Sequence, residues 1–194
     1  MEILYSDNDL VVCIKPVGLD SEHQLPLELT DILGGNIFPV HRLDQNVGGV
    51  MVYARNKAAA ATLSQQIQNG LLQKEYIAQV HGAPPETGDW EDLLFKDSRK
   101  NKVFVVNRIR AGVKPARLEF TRLSQGDTSS VRILLHTGRS HQIRVQFASR
   151  GFPLVGDHKY GARDNASVPM LFSCCIRFFW KGKQMRFEQL PDWA

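Results

Sequence analysis

His41-Arg42-Leu43-Asp44-Gln45-Asn46-Val47-Gly48-Gly49-Val50-Met51-Val52-Tyr53 passes from a charged turn into an apolar run without a break. The apolar step Phe38-Pro39-Val40 precedes it. Val50 to Ala54 is short and apolar, which predicts a buried strand rather than a helix. A turn that enters a buried strand holds its side chains at fixed points on the protein wall. Asp44 is the carboxylate so placed, with Arg42 as a neighbouring cation, and that is the setting a nucleophile or general base needs.

Outward from this point the pattern alternates between short strands and two clear helices. Residues 3–15 read as one or two strands around the polar turn Ser6-Asp7-Asn8-Asp9, and residues 27–33 as a short helix in a turn-rich stretch. Asn56 is a good helix N-cap. Four alanines, Leu63 and Ile67 follow, and Gly70 closes the segment, so a helix is predicted over 57–69. Residues 75–81 alternate as a strand, and 82–89, with two prolines and two glycines, read as a loop. Residues 116–123 and 131–136 read as strands joined at Gln125-Gly126-Asp127. Ser140 is expected to cap a helix over 141–150 that Gly151 closes, and 172–179 with 184–188 form a last hairpin. Hairpins outnumber βαβ units, so the class is α+β with a mixed, mainly antiparallel sheet. One domain is expected over 1–194.

Bulk properties narrow the function. Hydrophobic content of 43% and charged content of 23% are those of an ordinary folded chain. No apolar run approaches the roughly 20 residues that span a bilayer, and no signal peptide is visible, so the expectation is a cytoplasmic protein with no membrane partner. Cys13, Cys174 and Cys175 give neither a disulfide framework nor a zinc spacing, and the histidines form no metal pair. The net charge of +4 has the sign suited to a phosphate-bearing partner. Lys96, Arg99, Lys100, Lys102, Arg108, Arg110 and Lys114 make 96–114 a basic stretch, either a solvated hairpin or an RNA-contacting flap.

The chain resembles the RluA-type RNA pseudouridine synthases. His41-Arg42-Leu43-Asp44 is similar to their signature. Lys15-Pro16-Val17-Gly18, after Asp9-Leu10-Val11-Val12, is similar to their opening motif, and Lys74-Glu75-Tyr76-Ile77-Ala78 to their second. Thr137-Gly138-Arg139-Ser140-His141-Gln142-Ile143-Arg144 is similar to their third, and Gly151 to Asp157 with Tyr160-Gly161 to the loop beyond it. The resemblance implies one sheet with helices and loops around a central RNA-binding cleft. It implies isomerisation of uridine in ribosomal or transfer RNA, without a cofactor, by a protein expected to be monomeric. It makes Asp44 the catalytic carboxylate, Arg144 its cationic companion and Tyr76 the ring beneath the target uracil. Arg42, Arg139 and His41 are implied as RNA contacts or supports, and Lys15, Asp157 and Tyr160 as framework or RNA contacts.

Two departures stand out. The family has Thr-Ser-Gly where this chain has Val47-Gly48-Gly49, so two hydroxyls that would stiffen the Asp44 turn are missing. The chain also starts at the first catalytic motif, so no N-terminal S4 domain is expected. The first departure leaves a second reading beside the enzyme: a catalytically weak RNA-binding or RNA-chaperone module on the same fold.

Overall fold

The structure, a computed structural model, describes residues 1–194. The chain gathers into two compact units, residues 1–75 with 172–193, and residues 76–171.

In the first unit, strands β1 (Glu2–Ser6) and β2 (Leu10–Lys15) form an antiparallel hairpin. The Asp7 carboxylate shapes its turn by accepting the backbone N–H groups of Asp9 and Leu10. Helix α1 (Gln24–Leu33) begins three residues before the sequence reading places it. A two-residue strand β3 (Phe38–Pro39) leads to the Asp44 turn, and β4 (Gly48–Ala54) follows, buried along its whole length. β4 pairs antiparallel with β2 and β3. Helix α2 (Lys57–Gln68) starts as expected, with Asn56 Oδ1 accepting the Ala59 N–H at 2.9 Å. Such a cap contributes about 1 kcal/mol.

The other strands of this unit come from the far end of the chain. β10 (Leu171–Trp180) runs parallel to β4 through Phe172 and Ser173, and pairs antiparallel with β11 (Lys183–Glu188). Leu10, Val12, Val50, Val52, Leu63 and Phe178 lie in one buried cluster between the strands and α2. Each such side chain contributes roughly 1.5–3 kcal/mol by leaving water.

The second unit is built on strands β5 (Gln73–His81), β6 (Thr87–Asp97), β7 (Lys102–Val106), β8 (Val113–Arg122) and β9 (Thr128–Leu135), in the order β5-β9-β8-β6-β7. β7 pairs antiparallel with β6, β6 with β8, and β8 with β9. The chain is therefore α+β with mixed, mainly antiparallel strands, as its pattern predicts. Residues 87–89, expected in a loop, open the long strand β6. Gly88 is tolerated there because the Phe120 ring occupies the space its side chain would take.

Helix α3 (Gln142–Ala148) is shorter than expected, and Ser140 does not cap it. His141 precedes it in the left-handed conformation (φ 50°) with no side-chain cap. Gln142 closes the turn instead, its Oε1 accepting the Arg139 N–H at 3.0 Å and the Thr137 hydroxyl at 2.8 Å. Phe147 of α3 packs edge-on against Trp90 and Phe120, fastening the helix to the strands.

Candidate active site

Asp44 stands half-buried in the turn between β3 and β4, and the residues on either side of it, Leu43 and Gln45, are tied down. The Asp44 carbonyl accepts the Val47 N–H at 2.9 Å. Leu43, immediately before it, is clamped by Ser21, whose hydroxyl donates to the Leu43 carbonyl at 2.9 Å and accepts the Leu43 N–H at 3.2 Å. Gln45, immediately after it, exchanges hydrogen bonds with Gly18: the Gly18 N–H donates to the Gln45 carbonyl, and the Gln45 amide to the Gly18 carbonyl. The backbone on either side of the carboxylate is thus fixed by a second loop, residues 16–21, that closes over it.

Lys15 holds both loops together. Its side chain is fully buried, and its ammonium donates to the carbonyls of Pro16, Leu19 and Gln45 at 2.7–3.0 Å. Burial pushes the amine down against the opposing pull of the Asp20 and Asp44 carboxylates, and the balance falls at about 8. Three carbonyls satisfy the three donors of an ammonium, so the cation is anchored where its charge also acts on Asp44.

The missing Thr and Ser hydroxyls are answered by these contacts and by close packing. Gly49 has φ 131°, and a Cβ there would lie 2.4 Å from the Ser173 carbonyl oxygen. A Cβ on Gly48 would meet the Lys15 carbonyl at 3.2 Å and the Phe172 ring at 3.4 Å. Strand β4, which the Asp44 turn enters, is therefore pressed against β10 at its first two residues, a contact no side chain at Gly49 permits.

His41 and Arg42 flank the same turn. The Val52 N–H of β4 donates to His41 Nε2 at 3.2 Å, which leaves the proton on Nδ1, buried without a partner. Burial, reinforced by the Lys74 charge, drives the imidazole down to about 3, so His41 is a neutral prop of the β4 backbone. Arg42 is exposed and pairs with Glu22 at 3.0 Å. An ion pair this open contributes little and yields readily to another anion.

In the second unit, Arg144 lies buried on α3 and grips Asp157 with two parallel bonds, Nε to Oδ2 at 2.7 Å and Nη2 to Oδ1 at 2.8 Å. Its guanidinium also lies 5.2 Å from the centre of the Tyr160 ring. The Tyr160 hydroxyl accepts the Val103 N–H at 2.9 Å and is hydrogen-bonded to His141 Nδ1 at 2.8 Å. One planar cation is thus fixed by a buried carboxylate and an aromatic face, the arrangement that orients a guanidinium with least freedom. Gly156 lets the chain reach Asp157, since at φ 78° any Cβ there would overlap the Val168 carbonyl.

Tyr76 is buried in β5 at 4% exposure. Arg139 is half-buried, its Nε donating to the Pro115 carbonyl at 2.9 Å. Lys15, Asp157 and Tyr160 are each hydrogen-bonded to neighbouring loops or side chains. Ser21 is absent from the sequence reading, because a serine in a turn-rich stretch carries no signal of its distant partner Leu43. No group of three or more His, Cys, Asp or Glu side chains is placed to hold a metal ion, and no helix is long and apolar enough to cross a membrane.

Comparison with known proteins gives these motifs their context. The sequence profile of the family described as RNA pseudouridylate synthase matches residues 9–149. An RNA pseudouridine synthase of Aquifex aeolicus, itself uncharacterised, is 34% identical over 97% of this chain and 68% of its own length. The dual-specificity RNA pseudouridine synthase RluA of Vibrio vulnificus is 33% identical over 84% of this chain and 70% of its own. Among solved structures, human RNA pseudouridylate synthase domain containing 1 aligns with a TM-score of 0.86 at 23% identity, over all of this chain and 84% of that one. The chain belongs to the RNA pseudouridine synthase family, among relatives of the RluA type. It spans between 42% and 70% of the length of curated relatives it matches.

Proposed function

We propose that this chain isomerises uridine to pseudouridine in ribosomal or transfer RNA, with Asp44 as the catalytic carboxylate. The observation that carries the reading is the Asp44 turn. A family signature is held there by Lys15, Ser21 and Gly18 on both sides of one acidic side chain.

The chemistry suits a single fixed carboxylate. The N1–C1′ bond breaks, C5 joins C1′, the C5 proton leaves to solvent and N1 takes up a proton. Nothing else is gained or lost, so neither a cofactor nor an activated water is consumed. A carboxylate assists by attacking the sugar or the base, or by removing the C2′ proton. A hydrolase would instead want two carboxylates across the bond, one of them protonated.

Tyr76 is proposed as the surface on which the detached uracil stacks while it turns. Arg144, already oriented by Asp157, supplies fixed positive charge to the reaction. Arg42 and Arg139 serve the RNA: Arg42 because only a solvent-exposed ion pair restrains it, Arg139 because it sits beside the third motif. His41 supports the turn. The protein acts as a cytoplasmic monomer without a small-molecule cofactor.

The test is pseudouridine mapping of total cellular RNA with and without this protein. The reading expects at least one uridine in ribosomal or transfer RNA to lose its modification when the protein is absent and regain it on complementation. Identical maps, together with inactivity of the purified protein on unmodified RNA, would contradict it.

A further inference from the structure

The loop between Val155 and Met170 is pinched off at its base. The Val155 N–H donates to the Gln79 carbonyl of β5 at 2.9 Å, the Gln79 N–H to the Met170 carbonyl at 3.0 Å, and the Met170 N–H to the Val155 carbonyl at 2.8 Å. This loop carries Asp157 and Tyr160, the two groups that orient Arg144. Inside it, two side chains act as staples.

Asp164 is the first. Its carboxylate accepts the Gly156 N–H at 2.9 Å, the Ala166 N–H at 2.8 Å and His81 Nε2 of β5 at 2.6 Å. The Gly156 bond, and then the His81 bond, hold this carboxyl below the usual carboxylate range, so near neutral pH it only accepts.

His158 is the second, and its surroundings make a stricter demand. Nδ1 faces the Ala162 carbonyl at 3.1 Å, and Nε2 faces the Ala166 carbonyl at 2.9 Å. A carbonyl oxygen only accepts, so both nitrogens must donate. Neutral imidazole has one N–H and imidazolium has two. In the neutral form one carbonyl meets a lone pair and its bond is gone. The charges around the ring agree with the cation. Asp157 and Asp164 are the carboxylates beside it, engaged on their far sides by Arg144 and His81. Lys159 turns away to donate to the Asn101 carbonyl at 3.1 Å, and Arg163 is exposed. The Ala166 carbonyl first and the Ala162 carbonyl second raise the imidazole above its ordinary value, against some loss of water, and the charges of Asp164 and Asp157 add to the rise.

The path from this ring to Arg144 is short. Asp157 immediately precedes His158, and the Asp157 carbonyl accepts the N–H groups of Tyr160 and Ala162 at 3.0 and 3.1 Å. Drawing Ala162 and Ala166 onto the His158 ring closes the same turn that sets the Asp157 carboxylate and the Tyr160 ring.

We propose that doubly protonated His158 is a positioning residue, clasping the carbonyls of Ala162 and Ala166 so that Asp157 and Tyr160 stay seated on Arg144. The proposal rests on the role given to Arg144 above and adds a pH dependence to it. The clasp is complete below about pH 6.5, where a histidine is protonated without help. It is lost as pH rises through the raised value of the folded ring.

Nitrogen-15 NMR of the imidazoles in the full chain tests the clasp without RNA, the His158 signals being those that vanish in His158→Gln. Two N–H groups on His158 at about pH 6.5 are expected, with a midpoint above that of an ordinary histidine. A midpoint at or below the ordinary value overturns the proposal and leaves the RNA reading intact. Solvent exchange of the Arg144 Nε–H, compared at about pH 6, should be faster in His158→Gln than in wild type. Equal exchange shows that His158 does not act on Arg144 and overturns its positioning role. In tritium release from RNA labelled at uridine C5, His158→Gln should lower kcat about fivefold at about pH 6, the worth of one ordinary hydrogen bond, with KM unchanged. The two proteins should converge by about pH 9, where each offers one donor group to two carbonyls. A kcat ratio that stays constant with pH overturns the positioning role. A wild-type chain that releases no tritium overturns the RNA reading, and positioning for catalysis with it.

Discussion

Arg144 and Asp157 form a buried, two-bonded ion pair, with Nε and Nη2 at 2.7 and 2.8 Å from the two carboxylate oxygens. Asp157 is 1% exposed and Arg144 7%, so neither can find water if the other is lost. Breaking such a pair from one side costs about 3–5 kcal/mol. Asp157→Ala is expected to lower the free energy of unfolding, measured in urea, by that amount. Arg144→Lys keeps the charge but not the fork, and is expected to lose turnover with a smaller loss of stability. A turnover equal to wild type in Arg144→Lys would show that the fork is structural only.

Ser21→Ala removes the clamp on Leu43. It leaves a buried N–H and carbonyl without their hydroxyl, at a cost of about 1–3 kcal/mol. The expected signature is a fall in kcat larger than any change in KM, because the lost contact fixes the backbone next to Asp44 rather than the RNA. Denaturation of the variant and its steady-state kinetics check the two parts separately.

The glycine pair should respond unequally. Gly49→Ala must seat a Cβ 2.4 Å from the Ser173 carbonyl oxygen at φ 131°, with an expected loss of about 2–5 kcal/mol. Gly48→Ala meets only the Lys15 carbonyl and the Phe172 ring at 3.2–3.4 Å, so it should stay within about 1 kcal/mol of wild type. Thermal unfolding of the two variants distinguishes them.

His41 gives the fold an acid sensitivity above the carboxylate range. Its imidazole stays neutral in the fold down to about 3, whereas in the unfolded chain it takes up a proton near 6.5. Between those values the unfolded state binds more protons, so stability falls as pH drops from about 6.5 toward about 3. His41→Gln, whose amide oxygen can still accept the Val52 N–H, should flatten the stability profile between about pH 6.5 and about pH 4. Equal slopes in the two proteins would show that the ring is solvated.

Much of this fold is legible because local signals agree with packing. Asn56, the alanine run and Gly70 define α2, and the unbroken apolar run after Gly49 defines β4. β6 escapes the reading because one of its faces carries Asp89 and Glu91, and because Gly88 sits where a ring arrives from β8. The cap of α3 is misassigned to Ser140 because the bond that closes the turn comes from Gln142, inside the helix. In the candidate site the motif spells out Asp44, but its support does not follow from spacing. Ser21 and Lys15 reach it across 22 and 30 residues of chain, and only the fold brings those partners together.

The central claim is that the Asp44 carboxylate performs the isomerisation. Tritium release from RNA labelled at uridine C5 tests it most directly, with wild type and Asp44→Asn compared at equal, verified folding. The account predicts steady release by the wild-type chain and none above background by Asp44→Asn, with RNA affinity preserved. Release by Asp44→Asn at the wild-type rate would contradict it.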